Sequence, residues 1–240
     1  MYEKDWKNFL IVVVLNYCMI NENLEQIEKD IKIAAEKTGR KLSDIKLVAI
    51  SKTVDAEKVN TAIDARIVTI GENRIQEAEE KFPKLKKCEK HMVGHLQSNK
   101  AKTCAELFDF VESIDSVKTA KKLSDACKTL GKVMPVLVQV RTDLEKEYGV
   151  EIKNLEKFLD EISGFEGIEI KGLMTVPPQC EWDQLRGIYS AMNGIFNKLK
   201  GNDKYEMQFL SMGMTNDFEV AIQEGANMVR IGRGIFGKRK

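Results

Sequence analysis

Lys52 is the first residue whose type and place suggest chemistry. It follows Lys46–Ser51 (KLVAIS), an apolar, β-branched run of strand length. A lysine at such a strand end buries its stem, and burial disfavours the ammonium form. The neutral amine is what a Schiff base with an aldehyde requires. A lysine that snorkels to the rim would share this pattern, and position alone leaves both readings open. The second feature is a pair of glycine-bearing loops, Ser211–Thr215 (SMGMT) and Arg230–Gly237 (RIGRGIFG). Glycines after a strand let backbone N–H groups approach an anion. Thr215 or Asn216 can also cap the helical run Asp217–Glu224, whose N-terminus favours negative charge. Two such loops near the end of the chain point to a phosphate, although glycine turns without a ligand would look alike.

A third polar segment is His91–Lys100 (HMVGHLQSNK), which puts Gly94, His95, Gln97, Ser98 and Asn99 after a short apolar run. His95 is open to a functional or a packing role. Only two histidines occur, so a histidine-rich metal site is excluded, and no metal ligation is expected. The basic run Lys84–Lys90 reads as solvated surface.

These residues need a scaffold that brings distant strand ends together. Eight strand-sized runs recur: 46–51, 67–70, 91–93, 110–114, 135–140, 168–174, 206–210 and 228–231. Helical patterns lie between them, at 56–65, 74–85, 118–130, 152–163, 182–199 and 217–224, and one at 24–37 precedes them. In that first helix Leu24, Ile27, Ile31 and Ala34 form one apolar face. Gly131, Gly164, Gly201 and Gly225 follow later helices, where the chain must turn back. Strand alternating with helix implies parallel βαβ units, and eight of them imply a single closed (β/α)8 TIM-type barrel. In such barrels function gathers at the C-terminal ends of strands, and phosphate sites often use the loops after strands 7 and 8. An open doubly wound sheet would usually carry a Gly-x-Gly-x-x-Gly after its first strand, where this chain has Ser51-Lys52-Thr53.

Composition agrees with one ordinary globular domain. The 240 residues are 43% hydrophobic and 31% charged, with 38 basic and 37 acidic side chains. No basic surplus points to nucleic acid. Five widely spaced cysteines, without a Cys-x-x-Cys pair, fit a reducing cytoplasm better than a disulfide framework. Leu10–Leu15 is too short to cross a membrane, which takes about 20 apolar residues, so no membrane partner is expected. The first 22 residues are an extension of uncertain role, expected as a docked strand or helix or the product of an upstream start. Met19 stands just before the better domain start, and the barrel is expected over residues 23–240.

Six stretches then carry a family resemblance: LVAISKT (Leu47–Thr53), IGENRIQE (Ile70–Glu77), HMVGHLQSNK (His91–Lys100), GLMTVP (Gly172–Pro177), LSMGMTND (Leu210–Asp217) and MVRIGRGIFG (Met228–Gly237). In order and content the chain resembles the YggS/PROSC family, the pyridoxal 5′-phosphate (PLP)-binding proteins of vitamin B6 homeostasis, from about Asn23 onward. The resemblance implies a barrel like the N-terminal domain of alanine racemase, of the fold type III PLP class. It implies that Lys52 forms the internal aldimine with PLP and that Arg230 faces the pyridine nitrogen. It sets Ser211, Gly232 and Arg233 at phosphate-loop positions and Asn73 toward the cofactor. Thr215 stands where many members have Ser and keeps the hydroxyl for phosphate. Arg233 stands where many have Thr or Ser. Arg141 and Glu145–Gly149 replace an asparagine and a lysine-glycine segment, so no strand-5 lysine role carries over.

The function so implied is a non-catalytic PLP carrier that delivers or buffers the cofactor, with PLP-dependent apo-enzymes as recipients and a monomer or weak homodimer as the expected state. The second β domain of alanine racemase is expected to be absent, since the chain ends three residues after Gly237. The alternatives are a weak racemase-like PLP enzyme acting on amino acids, and a Schiff-base aldolase for a sugar phosphate without PLP.

Overall fold

The structure, a computed structural model, describes residues 2–237, and the side chains of residues 17–237. Eight parallel strands close into a barrel in sequence order, the eighth pairing with the first. The chain runs α1 (Tyr2–Glu36), β1 (Lys46–Ile50), α2 (Ala56–Asp64), β2 (Thr69–Glu72), α3 (Ile75–Lys81), β3 (Glu89–Met92), α4 (Ala101–Leu107), β4 (Phe110–Ile114) and α5 (Val117–Thr129). It continues with β5 (Met134–Val140), α6 (Leu155–Ile162), β6 (Ile168–Thr175), α7 (Trp182–Leu199), β7 (Phe209–Ser211), α8 (Phe218–Gln223), β8 (Met228–Ile231) and α9 (Arg233–Phe236). The expected (β/α)8 barrel is therefore what forms.

Strands covered on both faces read as continuous apolar runs rather than alternating ones, and β4 and β8 are buried at every position. The outer face of the barrel packs under helices such as α6, which buries Leu155, Phe158, Leu159 and Ile162. The spacing of these four residues is one helical stripe. Inside the barrel, Val48, Ile50, Phe110, Leu137, Met174 and Met228 pack together. Gly71 makes room for them: a Cβ there would fall 2.7 Å from Ile50 Cδ1. Gly172, at φ +146°, lets β6 pass β7, because a Cβ would lie 1.8 Å from the Phe209 carbonyl oxygen.

Several boundaries differ from the sequence reading. Expected strand 206–210 forms only over Phe209–Ser211, although the N–H groups of Glu206 and Gln208 still donate to Ile170 O and Lys171 O of β6; beside it the Asn227 side chain accepts from Leu210 N–H and donates to Gln208 O. The second strand lies at 69–72 rather than 67–70. Residues 101–107 and 233–236 are helical where no helix was assigned. The helix expected at 24–37 is part of α1, whose backbone reaches back to Tyr2. Ile20, Leu24 and Ile31 on α1 are buried, so packing begins ahead of Asn23. The side chains of Leu10–Leu15 lie outside the described residues. Among the described residues, no helix is long and apolar enough to cross a membrane.

Candidate functional site

The closure of β8 against β1 decides the site. It makes β7, β8, β1 and β2 consecutive neighbours, so their C-terminal ends bring Thr215, Arg230, Gly232, Arg233, Lys52 and Asn73 onto one arc. Val48 is in register with Arg230, and Ala49 with Ile231.

Lys52 is half-buried in a turn just past β1. Two residues of α3 hold that turn from behind. The buried ammonium of Lys81 donates to Ser51 O at 2.7 Å, to Glu72 Oε1 at 2.5 Å and to Glu77 Oε1 at 2.8 Å. Glu77 also accepts from the N–H of Thr53, a residue with a left-handed φ of 63°. Ser51 Oγ donates to Glu72 Oε1 at 2.8 Å. Burial pushes the Glu72 carboxyl above its usual range, with Lys81 and Ser51 working the other way. The residues on either side of Lys52 are thus pinned, Ser51 by the buried Lys81 and Glu72 and Thr53 by the half-buried Glu77. Asn73, half-buried, follows β2. Its carbonyl would lie 2.2 Å from a Cβ at Gly94, so only glycine lets the β2 and β3 loops meet there.

Arg230 is 5% exposed. Its Nη1 donates to Ser211 Oγ at 2.6 Å and its Nη2 to Thr175 O at 2.8 Å. Ser211 Oγ donates in turn to Glu112 Oε2 at 2.6 Å, and that carboxylate lies 3.8 Å from the guanidinium. Ser211 is fully buried. The sequence reading groups Ser211 with the phosphate loops; the structure commits its hydroxyl to Glu112 and Arg230.

The two glycine loops meet each other. Gly213 turns with φ +95° under Ala221, whose Cβ would lie 2.6 Å from a Cβ added there. Asp217 accepts from Met214 N–H and from the Tyr189 hydroxyl at 3.0 Å, which fixes the turn that presents Thr215. Burial, then Asp217, raises the Tyr189 phenol well above its usual range. Gly234 N–H points at Thr215 Oγ1 over 3.5 Å. Arg233 is exposed at the start of α9, and Gly232 is half-buried before it. Behind α9, Asn23 Nδ2 donates to Ile235 O and Lys58 Nζ to Phe236 O.

Residues 23–240 match the family model described as alanine racemase, N-terminal domain. The pyridoxal phosphate homeostasis protein of Pasteurella multocida is 34% identical over 227 residues, covering 92% of this chain and 97% of the relative. That of Aquifex aeolicus is 34% identical over 230 residues, covering 94% and 100%. The chain belongs to the pyridoxal phosphate homeostasis protein family. Among solved structures, PipY of Synechococcus elongatus with PLP bound superposes with a TM-score of 0.80 at 29% identity, covering 91% of this chain and all of that one. Alanine racemase of Corynebacterium glutamicum, at 15% identity and a TM-score of 0.63, shares the barrel.

Within this family member, the supporting groups were less visible in the sequence than the strand-end residues. Glu112 and His91 are fully buried, with His91 Nδ1 2.7 Å from Glu112 Oε1. His91 Nε2 lies 3.4 Å from Glu89 Oε1, and Glu89 Oε2 accepts from Lys46 at 2.6 Å and from Thr69 at 2.9 Å. Burial opposes charge on His91, but Glu112 and Glu89 outweigh it and raise its pKa. Burial likewise opposes charge on Glu112, yet His91 and Arg230 lower its pKa. Glu89 falls to about 2 against its own burial, through His91 and Lys46. One signal was present: Glu112 is a charge in the middle of the apolar run FVESI. His95 belongs to another arc. It stacks on Tyr148 at 3.9 Å, lies 3.3 Å from Asp115, and lines a 440 Å³ cleft over the ends of β3 and β4.

Proposed function

We propose that this protein holds PLP on Lys52 and serves vitamin B6 homeostasis as a cytoplasmic carrier that buffers the cofactor or delivers it to PLP-dependent apo-enzymes. The barrel of residues 23–240 is its binding domain, working as a monomer or weak homodimer. The observation that carries this reading is the buried Arg230, fixed by Ser211 and Thr175 and lying on β8 next to β1, whose following turn carries Lys52.

The donor set suits the group. When bound, PLP supplies an aldehyde to a lysine amine, a ring nitrogen and a phosphate. Lys52 offers the amine. Arg230 is a donor that never deprotonates in proteins, so it suits a ring nitrogen that carries no proton. Gly232, Arg233 and Thr215 surround the start of α9, where amides, a hydroxyl and a guanidinium suit a phosphate. Asn73 flanks the Lys52 side. A ring nitrogen held as an acceptor withdraws electrons weakly, which disfavours carbanion chemistry. Proton transfer also needs an acid or base in reach of the substrate. Both histidines of the chain are engaged elsewhere, His91 between two carboxylates inside the barrel and His95 against Tyr148.

The test is the visible spectrum of the purified protein, followed by borohydride reduction and peptide mapping. The reduced adduct is expected on Lys52 and is lost in Lys52→Ala. An adduct of undiminished yield on a different lysine overturns the assignment. Solvent deuterium exchange at Cα of common amino acids should be negligible. Lys52-dependent exchange near about 10 s⁻¹, the median for enzymes, would favour the racemase-like alternative.

A further inference from the structure

Glu112 has two oxygens and a separate task for each. Oε2 accepts from Ser211 and Oε1 meets His91 Nδ1. A serine hydroxyl donates one proton. Because that proton goes to Glu112, the oxygen of Ser211 presents only lone pairs to Arg230 Nη1. The direction of this chain is fixed at both ends, by a guanidinium that can only donate and a carboxylate that can only accept. His91 fixes the carboxylate in turn, held by its stack on Phe110 at 4.5 Å and 13° and by Glu89 on its far side.

We propose that Glu112, anchored by His91, is a positioning residue for Arg230: by taking the Ser211 proton it fixes the hydroxyl with a lone pair toward Nη1 and thereby aims the guanidinium at the ring nitrogen of the bound cofactor. This deepens the reading of Lys52 and Arg230 as a PLP site and rests on it. Neither Glu112 nor His91 touches the cofactor in this account. They act through Ser211, across the barrel from β4 and β3 to β7 and β8.

Glu112→Gln is the discriminating change. Glutamine has nearly the same shape but one acceptor end and one donor end. It cannot accept from both His91 and Ser211. Binding should be measured for PLP and for its analogue with the ring nitrogen replaced by carbon. The variant should weaken PLP by about tenfold, as for loss of a hydrogen bond to a charged group, and leave the analogue unchanged. Equal weakening of both ligands would mean general structural damage and overturn the proposal, as would no weakening of either. A wild-type protein that takes up neither ligand defeats the cofactor reading instead. NMR without ligand then decides the positioning claim alone. The Arg230 Nε–Hε resonance should be sharp and distinct in the wild type and broaden or merge with the exposed arginines in Glu112→Gln. An unchanged resonance refutes it.

Discussion

Replacing Lys81 with methionine should loosen the turn that carries Lys52, and its cost should depend on pH in a stated direction. Lys81 is 7% exposed and Glu72 is fully buried. Methionine keeps the apolar stem and removes the contacts to Ser51 O, Glu72 and Glu77. Glu72 is then left with the Ser51 hydroxyl alone. Taking one partner from a buried ion pair costs about 3–5 kcal/mol. Burial already raises the Glu72 pKa, and Lys81 opposes that rise; without Lys81 it rises further. A carboxyl whose folded pKa exceeds its unfolded value binds protons more readily in the folded state. The cost is therefore absent below the unfolded pKa, near about pH 4, grows as pH rises toward the folded pKa, and is complete above it. Urea unfolding across this range should show a midpoint that falls with pH more steeply than in the wild type, at an unchanged m-value. Adding Glu72→Gln should flatten that dependence. In parallel, the yield of PLP fixed on Lys52 by borohydride should fall, because Ser51 and Thr53 lose their common support. A loss below about 1 kcal/mol at neutral pH, the range of exposed pairs, or a loss that is constant with pH, would refute this account of the turn.

Ser211→Ala should weaken PLP and pyridoxal, which lacks the phosphate, by the same factor, since the hydroxyl supports Arg230; a loss confined to PLP would return Ser211 to the phosphate. Thr215→Val should do the opposite, weakening PLP by about tenfold with little effect on pyridoxal, and equal effects on the two ligands would remove Thr215 from the phosphate site. A chain beginning at Met19 should bind PLP normally and melt within a few degrees of the full chain, whereas a large fall in Tm would make residues 1–18 part of the packed domain. In that shortened chain Ile20→Ala should cost about 2–5 kcal/mol, as for other buried large-to-small changes, and a negligible cost would move the start of the core back to Asn23.

The barrel was legible because strands buried on both faces announce themselves as apolar runs. β4 and β8 begin and end where those runs do. β2 was displaced because Gly71 and Glu72 look like the start of a loop, yet Gly71 is the one residue small enough to sit against Val48 and Ile50 inside the barrel. The sequence of α9 has four residues and one glycine among them, too few to show a helical period. Lys52 and Arg230 stood out as polar groups where strands stop. Glu112 did not, since a charge inside an apolar strand acquires meaning only from what faces it. Its partner Ser211 is 99 residues away in sequence, and a single sequence holds no local signal for that meeting. Lys81 was hidden differently, in a helix rich in charges of which only Lys81 and Glu77 turn toward β1 and β2.

The residues that escaped the sequence explain how the barrel tolerates so much buried charge. From the N-terminal rim to the Lys52 end the side chains alternate in sign: Lys46, Glu89, His91, Glu112, Arg230. Successive members lie 2.6, 3.4, 2.7 and 3.8 Å apart. Each carboxylate stands between two cations, which offsets a desolvation cost that would defeat an isolated charge. Both carboxylate pKa values are lowered and that of His91 is raised, the directions that neighbours of opposite sign impose against burial. At the N-terminal rim Lys46 is also shared with the rings of Phe110 and Phe209, 5.7 and 5.5 Å away. At the other end Arg230 is held by Ser211 Oγ and Thr175 O, with the Glu112 carboxylate 3.8 Å away. The line therefore ends on a guanidinium at the strand ends beside Lys52, where the proposed function seats a phosphate-bearing anion.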